Sequence, residues 1–199
     1  MIKAILFDVG GVYMEGSSVD FINRSYKVLG INKTITSSNG IVFDENYNKG
    51  LISHQDCFRK FFSVPISDDQ MSMIEQAWTT TWAPTEEMIN LVKILKDKYV
   101  LAILSNSDLL NSTKYKERGW YSYFNPLILS HELGILKPDK QIYEIALAKL
   151  KIPANECIFI DDQEKVLVPA KELGMETIVF KNFNQLKREL SEKGIKCDV

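Results

Sequence analysis

Five short segments of this chain are apolar almost without interruption, and they constrain the fold more than any other feature. They are "IKAILFD" (2–8), "VLAILSN" (100–106), "PLILS" (126–130), "CIFIDD" (157–162) and "METIVF" (175–180). A strand with one wet face alternates apolar and polar residues, whereas a strand covered on both faces can be apolar throughout. Runs of this kind therefore predict a parallel sheet buried between two helical layers. Helical patterns stand where such a sheet needs its crossovers. "PTEEMINLVKILKDKY" puts Met88, Leu91, Val92 and Leu95 on one stripe, with acids in its first turn and lysines near its end. "KPDKQIYEIALAKLKI" places Pro138 where a helix can begin and repeats Ile142, Ile145, Ala146 and Leu150. "EKVLVPAKELGM" ends on Gly174 as a C-terminal cap, although Pro169 inside it opposes a regular helix. Strand, helix, strand from residue 85 onward predicts a doubly wound α/β domain.

Residues 14–84 break that rhythm. "SSVDFINRSYKVLG", "SHQDCFRKFF" and "SDDQMSMIEQAW" read as amphipathic helices, each opening at a Ser or Asp cap. "NKTITSSNG" between them reads as a polar loop. The expectation is a core made of residues 1–13 and 85–199, interrupted after its first strand by a helical insert. Phe58, Phe61, Phe62 and Trp78 would be the insert's own core. Tyr13, Tyr47 and Trp78 are the candidates for facing a ligand, with core packing as the simpler role for all three.

Bulk properties remove several classes of function. The 199 residues carry a net charge of −2 with both signs interspersed, and no basic stripe with interleaved aromatics occurs. Neither nucleic acid nor a membrane surface is an expected partner. The opening "MIKAILFDVGG" is broken by Asp and Gly too soon for a signal peptide, and no apolar run is long enough to span a bilayer. Cys57, Cys157 and Cys197 are scattered and odd in number, which fits reduced thiols in a cytoplasmic protein rather than a zinc site or disulfide framework. His54 and His131 stand apart from each other and from the cysteines, so surface or loop positions are expected for both. Nothing in the chain speaks to oligomeric state.

In an open parallel sheet, ligands bind beyond the carboxyl ends of the strands, near the point where strand order reverses. Polar residues fall at three such ends: Asp8, Ser105 with Asn106, and Asp161 with Asp162. Lys137, in "GILKPDK", precedes the helix that leads to the fourth strand. Gly10 and Gly11 follow Asp8 and would let a ligand approach the backbone closely. Three converging carboxylates need a counterion, and hard oxygen ligands favour Mg²⁺. With a hydroxyl, an amide and a lysine beside it, that cluster suits a phosphoryl group, which a freed carboxylate could attack.

The motifs "FDVGGV", "LSNS", "GILKPD" and "FIDDQEKV" resemble, in order, the four motifs of the haloacid dehalogenase superfamily, and the match covers essentially the whole core. The resemblance implies a Rossmann-like core with a small α-helical cap inserted after the first strand. It is nearest to the subgroup with sugar-phosphate phosphatases and the phosphatase half of soluble epoxide hydrolases. What it implies is an Mg²⁺-dependent phosphatase acting on a small phosphorylated substrate, with sugar phosphates among the candidates, through an aspartyl-phosphate. Carried over by motif, Asp8 is the nucleophile and a metal ligand, and the Gly10 main-chain carbonyl binds Mg²⁺. Gly11, Ser105, Asn106 and Lys137 hold the phosphate. Lys137 also steadies the nucleophile, and Asp162 ligates the metal with Asp161 in support.

Two positions depart from the pattern. Most phosphatases of the superfamily have a second Asp, the general acid and base, where this chain has Gly10. Relatives often have Asn where this chain has Lys165. Three other readings stay in play. A phosphoaspartate receiver would place its acidic pair before the accepting Asp, and a haloacid dehalogenase needs no metal and lacks the paired acids. A catalytically weak domain that binds phosphate or a protein partner is favoured by the missing acid. Specificity would then rest on cap residues facing the site.

Overall fold

The five apolar runs pair side by side in a computed structural model that describes residues 1–37 and 43–197. They form β1 (Ala4–Phe7), β4 (Val100–Ser105), β5 (Leu127–Leu129), β6 (Cys157–Asp161) and β7 (Glu176–Val179). All pairings are parallel, in the order β5-β4-β1-β6-β7. The doubly wound α/β architecture is the one expected. β1 lies at the centre, and the chain builds outward from it first on one side and then on the other. The strand order therefore reverses at β1, between β4 and β6.

Both faces of the sheet are covered, which is why the strands do not alternate. Ile5, Phe7, Ile103 and Ile160 point to one side, against Met88, Leu91, Val92 and Leu95 of α5 (Glu86–Leu95) and Leu186 and Leu190 of α10 (Phe183–Glu192). Leu6, Ala102, Leu104 and Phe159 point to the other, against Ile142, Tyr143 and Ala146 of α8 (Lys140–Leu150) and Leu167 and Ala170 of α9 (Glu164–Glu172). Each large side chain buried in this way contributes about 1.5–3 kcal/mol. Two local expectations are corrected. The helix after Lys137 starts at Lys140 and not at Pro138, because Asp139 caps it by accepting from the Gln141 N–H at 2.9 Å. α9 runs through Pro169 despite that residue's missing N–H, held by the burial of Val166, Leu167 and Ala170 on the sheet.

The insert leaves the core at β2 (Met14–Glu15) and returns at β3 (Ala83–Pro84), which pair antiparallel as a short two-stranded stem. Between them lie α1 (Ser18–Val28), α2 (Glu45–Asn48), α3 (His54–Phe62) and α4 (Asp68–Thr79). Ser17, Ser53 and Ser67 cap α1, α3 and α4, and Ser67 with Gln70 completes a capping box. Phe21, Ile22, Phe58, Phe62, Ile74 and Trp78 bury one another, with Phe61 half-buried beside them. Of the polar loop expected at 32–40, residues 32–37 have neither helix nor strand, and the rest lies outside the described residues. Among the described residues no helix is long and apolar enough to cross a membrane.

Candidate active site

The register of the sheet assembles the site. Phe7 is level with Ile160, so the next residues, Asp8 just past β1 and Asp161 at the last position of β6, emerge side by side. The Asp8 N–H still donates to the Ile160 carbonyl at 2.9 Å, which fixes the carboxylate's origin. Lys137 reaches in from the loop before α8 and bridges the two acids. Its Nζ lies 2.8 Å from Asp8 Oδ1 and 2.6 Å from Asp161 Oδ2. Asp162 joins them: one oxygen from each of Asp8, Asp161 and Asp162 falls within 4.8 Å of the others.

The charges in this cluster do not balance. One ammonium faces three carboxylates, and two of the acids are disfavoured as anions. Burial pushes the Asp161 carboxyl up to about 6, with the Asp8 charge acting in the same direction and Lys137 against it. Burial and Asp8 push Asp162 up as well. Burial alone would pull Lys137 down, yet Asp8 and Asp161 outweigh it and hold the ammonium charged. The donor set therefore fits a hard divalent cation, whose two charges would match the excess. Asp161 has little left to give such an ion, since Oδ2 is engaged by Lys137 and Oδ1 accepts from the Gln163 N–H at 2.8 Å. Asp162 is exposed and faces Gly11.

The two glycines after Asp8 differ. Gly11 has φ +82°, and a Cβ there would stand 2.8 Å from Asp162 Oδ2, so glycine is required on both counts. Its N–H donates to the Met14 carbonyl at 2.9 Å, so it offers a ligand close approach rather than a free donor. Gly10 is exposed, avoids positive φ, and a Cβ there would meet nothing within 4 Å.

Ser105 ends β4, buried, on the other side of Asp8. Asn106 follows it, and its carboxamide also grips the Lys137 main chain. Nδ2 donates to the Lys137 carbonyl at 3.0 Å, and Oδ1 accepts from the Lys137 N–H at 2.8 Å. This two-point clasp positions the lysine main chain and uses only one of the two Nδ2 hydrogens, leaving the other for a ligand.

Above these residues is a cleft of about 330 Å³, lined by Gly10, Gly11, Ser105, Asn106 and Asp162 and by Trp78 and Trp82 from the insert. A larger open cavity of about 940 Å³ lies at the opposite, amino-terminal edge of the sheet, around Lys3 and Val100, and contains none of the carboxylates.

Several residues of the cleft escape a reading by motif. Asp108, two residues past Asn106, caps α6 (Leu109–Glu117) through the Asn111 N–H at 2.8 Å. It also accepts from Tyr47 Oη at 2.7 Å, Trp78 Nε1 at 3.2 Å and Asn111 Nδ2 at 3.2 Å. Tyr47 and Trp78 thus do pack in the insert's core while anchoring it to the core domain. Tyr13 instead packs beneath the sheet and donates to the Trp120 carbonyl at 2.9 Å. Asp108 could have been found as an Asp followed three residues later by Asn at a strand-to-helix junction.

The histidines differ from expectation. His131 is not a surface residue: its side chain is 4% exposed, in α7 (Ser130–Leu133), with Nδ1 3.1 Å from Ser107 Oγ. The α2 end docks on this helix, with the Ser130 hydroxyl donating to the Asn48 carbonyl at 2.7 Å. His54 is half-buried, 2.6 Å from Glu75.

A parallel sheet that reverses at β1, with a lysine-bridged carboxylate cluster at that point and a helical insert above it, defines a doubly wound, Rossmann-like α/β class with its site at the strand ends. A family model of haloacid dehalogenase-like hydrolases matches residues 2–174, and the chain belongs to that family. It is similar to the D-ribitol-5-phosphate phosphatase of Bacteroides thetaiotaomicron, 26% identical over 208 residues, covering 96% of this chain and 98% of that one. It is 35% identical over 111 residues to the bifunctional epoxide hydrolase 2 of Sus scrofa, 53% of this chain but only about a fifth (20%) of that protein's length. Among solved structures, the HAD family enzyme bt-2542 of Bacteroides thetaiotaomicron, in complex with magnesium and inorganic phosphate, superposes with a TM-score of 0.76. That pair is 26% identical, with 91% of this chain and 95% of that one covered.

Proposed function

We propose that the protein is an Mg²⁺-dependent phosphatase that hydrolyses a small phosphorylated metabolite, with sugar phosphates among the candidates. The observation that carries this reading is Lys137 held between Asp8 and Asp161, beside Asp162 and across from Ser105. Asp8 attacks phosphorus, the bond to the leaving oxygen breaks, and the phosphoryl group passes to the carboxylate. Water then attacks the aspartyl-phosphate and frees Asp8. Lys137 holds Asp8 in place and offsets charge on the phosphoryl oxygens, while the Ser105 hydroxyl and the backbone around Gly11 position them. The Asn106 clasp keeps Lys137 in line. Asp8, Asp162 and the Gly10 carbonyl would hold Mg²⁺, with Asp161 supporting, and the ion would supply charge neutralisation.

No side chain at position 10 can protonate the leaving oxygen, and the Asp108 oxygens are engaged by four donors. The proton comes from water or from the substrate, so esters with acidic leaving groups react best. The same gap favours a second reading, a catalytically weak domain that binds phosphate or a protein partner. An assay on an aryl phosphate separates the two, because an aryl leaving group needs little protonation. Turnover that vanishes in chelator and returns with Mg²⁺ supports the phosphatase. Absent turnover at saturating Mg²⁺ supports the binding domain, and full turnover in chelator removes the metal from the account. The buried thiols of Cys57, Cys157 and Cys197, none of them in a disulfide, suit a cytoplasmic location.

A further inference from the structure

Asn111 and Tyr121 line the cleft, and each carries a buried polar atom, Asn111 Oδ1 and Tyr121 Oη, without a hydrogen-bond partner among the described residues. The orientation of the Asn111 amide is determined by its neighbour. The Asp108 carboxylate accepts from Asn111 Nδ2 at 3.2 Å, and a flipped amide would set oxygen against oxygen. Oδ1 is therefore left as an acceptor that needs a donor. Tyr121 is 4% exposed and lines the same cleft. Both residues belong to the core domain, on α6 and the turn after it, and not to the insert. From the insert come the rings of Trp78 and Trp82, set edge-to-face at 4.8 Å.

We infer that Asn111 and Tyr121 form a subsite for hydroxyl groups on the leaving half of the substrate, so the enzyme selects a small polyhydroxylated phosphate ester. This rests on the phosphatase reading and assigns its specificity to the core domain, where the motif resemblance placed it in the cap. The chemistry of the wall supports that class. Asn111 Oδ1 accepts from a ligand O–H, and the Tyr121 hydroxyl can give or accept. A hydrocarbon leaving group would bury both groups unpaired, which sites of this kind reject more strongly than a missing apolar contact. The tryptophan rings provide apolar faces for the C–H groups of a carbon chain. A volume of about 330 Å³ is at the small end for ligand pockets.

The test uses two esters of equal chain length, ribitol 5-phosphate and pentyl phosphate, which differ in leaving-group hydroxyls. Their dissociation constants are measured by calorimetry with Mg²⁺ on the Asp8→Asn protein, which does not consume them. Without further substitution, ribitol 5-phosphate should bind at least about tenfold more tightly, one to two hydrogen bonds' worth. Adding Tyr121→Phe, which removes only an oxygen, should cut that ratio several-fold by weakening the ribitol ester alone. Adding Asn111→Ala should do the same, and Tyr121→Phe stands by itself if the Ala variant misfolds. A ratio near one, a ratio that neither substitution changes, or no binding of either ester overturns the subsite and leaves the two groups to ordered water only. Selective binding without turnover by the unmutated enzyme would instead overturn the phosphatase reading and leave the subsite standing.

Discussion

The floor of the cleft and its side wall are built in different ways. On the floor, Asp8 and Asp161 are consecutive outcomes of strand register, each fixed by the residue before it in a buried parallel ladder. Their ionic contacts are short and pass through Lys137. On the wall, Tyr47, Trp78 and Asn111 come from three segments and meet at Asp108 by singly charged hydrogen bonds, with Tyr121 lining the same cleft. The floor has an excess of charge that demands a cation, whereas the wall has an excess of unpaired hydrogen-bonding capacity that suits a neutral polar ligand. On the proposed function, this separates the work of reacting from the work of choosing.

If this division holds, substitutions on the floor should be far costlier than those at its margin. The largest effect is expected for Lys137→Ala. Two buried acids would then face each other without their shared ammonium, and breaking a buried pair from one side costs about 3–5 kcal/mol. Denaturant unfolding without metal should show that loss, and kcat should fall by about a hundredfold or more. Unchanged stability would mean that Lys137 is not the floor's internal counterion.

Next in size is Gly10→Asp, which adds a proton donor where a Cβ meets nothing within 4 Å and φ is ordinary. Alkyl phosphates should gain about a hundredfold and aryl phosphates only a few-fold. Equal gains would show that leaving-group protonation never limited the rate. Gly11→Ala is the contrast, since it must accept φ +82° and a Cβ 2.8 Å from Asp162 Oδ2. It should lose about 1–2 kcal/mol of stability and weaken Mg²⁺ binding, measured by thermal shift against added metal. A variant as stable as the parent would contradict the close approach.

The smallest effect concerns His131, at the seam between core and insert. Burial pulls its pKa below the ordinary value of a histidine. The folded state therefore holds fewer protons there than the unfolded state, and stability is lost as pH falls below about 6.5. Between pH 7.5 and 5.5 the native protein should lose a few degrees of Tm more than His131→Gln does. A larger loss in the variant would mean that protonation of His131 stabilises the seam.

The floor was legible in the sequence because its residues follow continuous apolar runs, and a buried parallel strand delivers the next side chain to a known edge. The insert's helices were legible for a similar reason: Ser17, Ser53 and Ser67 announce them, and each helix carries an apolar stripe that buries Phe21, Phe58 or Ile74. The wall was not. Asn111 lies on a short helix with little amphipathic pattern and Tyr121 lies in a turn, so neither carries a local signal, and their meeting depends on how α6 packs against the insert. Asn106 shows a subtler limit. Its position at the strand end was readable, but its clasp on the Lys137 main chain joins residues far apart in sequence that only the folded loops bring together.

The central claim is that Asp8 itself accepts the phosphoryl group, and the most direct measurement traps it there. Turnover of an aryl phosphate with Mg²⁺ is stopped rapidly with acid, treated with borohydride, and the peptides are read by mass spectrometry. An acyl phosphate on Asp8 is reduced to homoserine, so the account predicts homoserine at position 8, absent when substrate or Mg²⁺ is omitted and absent in Asp8→Asn. Sustained turnover with Asp8 unmodified at every quench time, or with the reduced residue at Asp161 or Asp162, would contradict it.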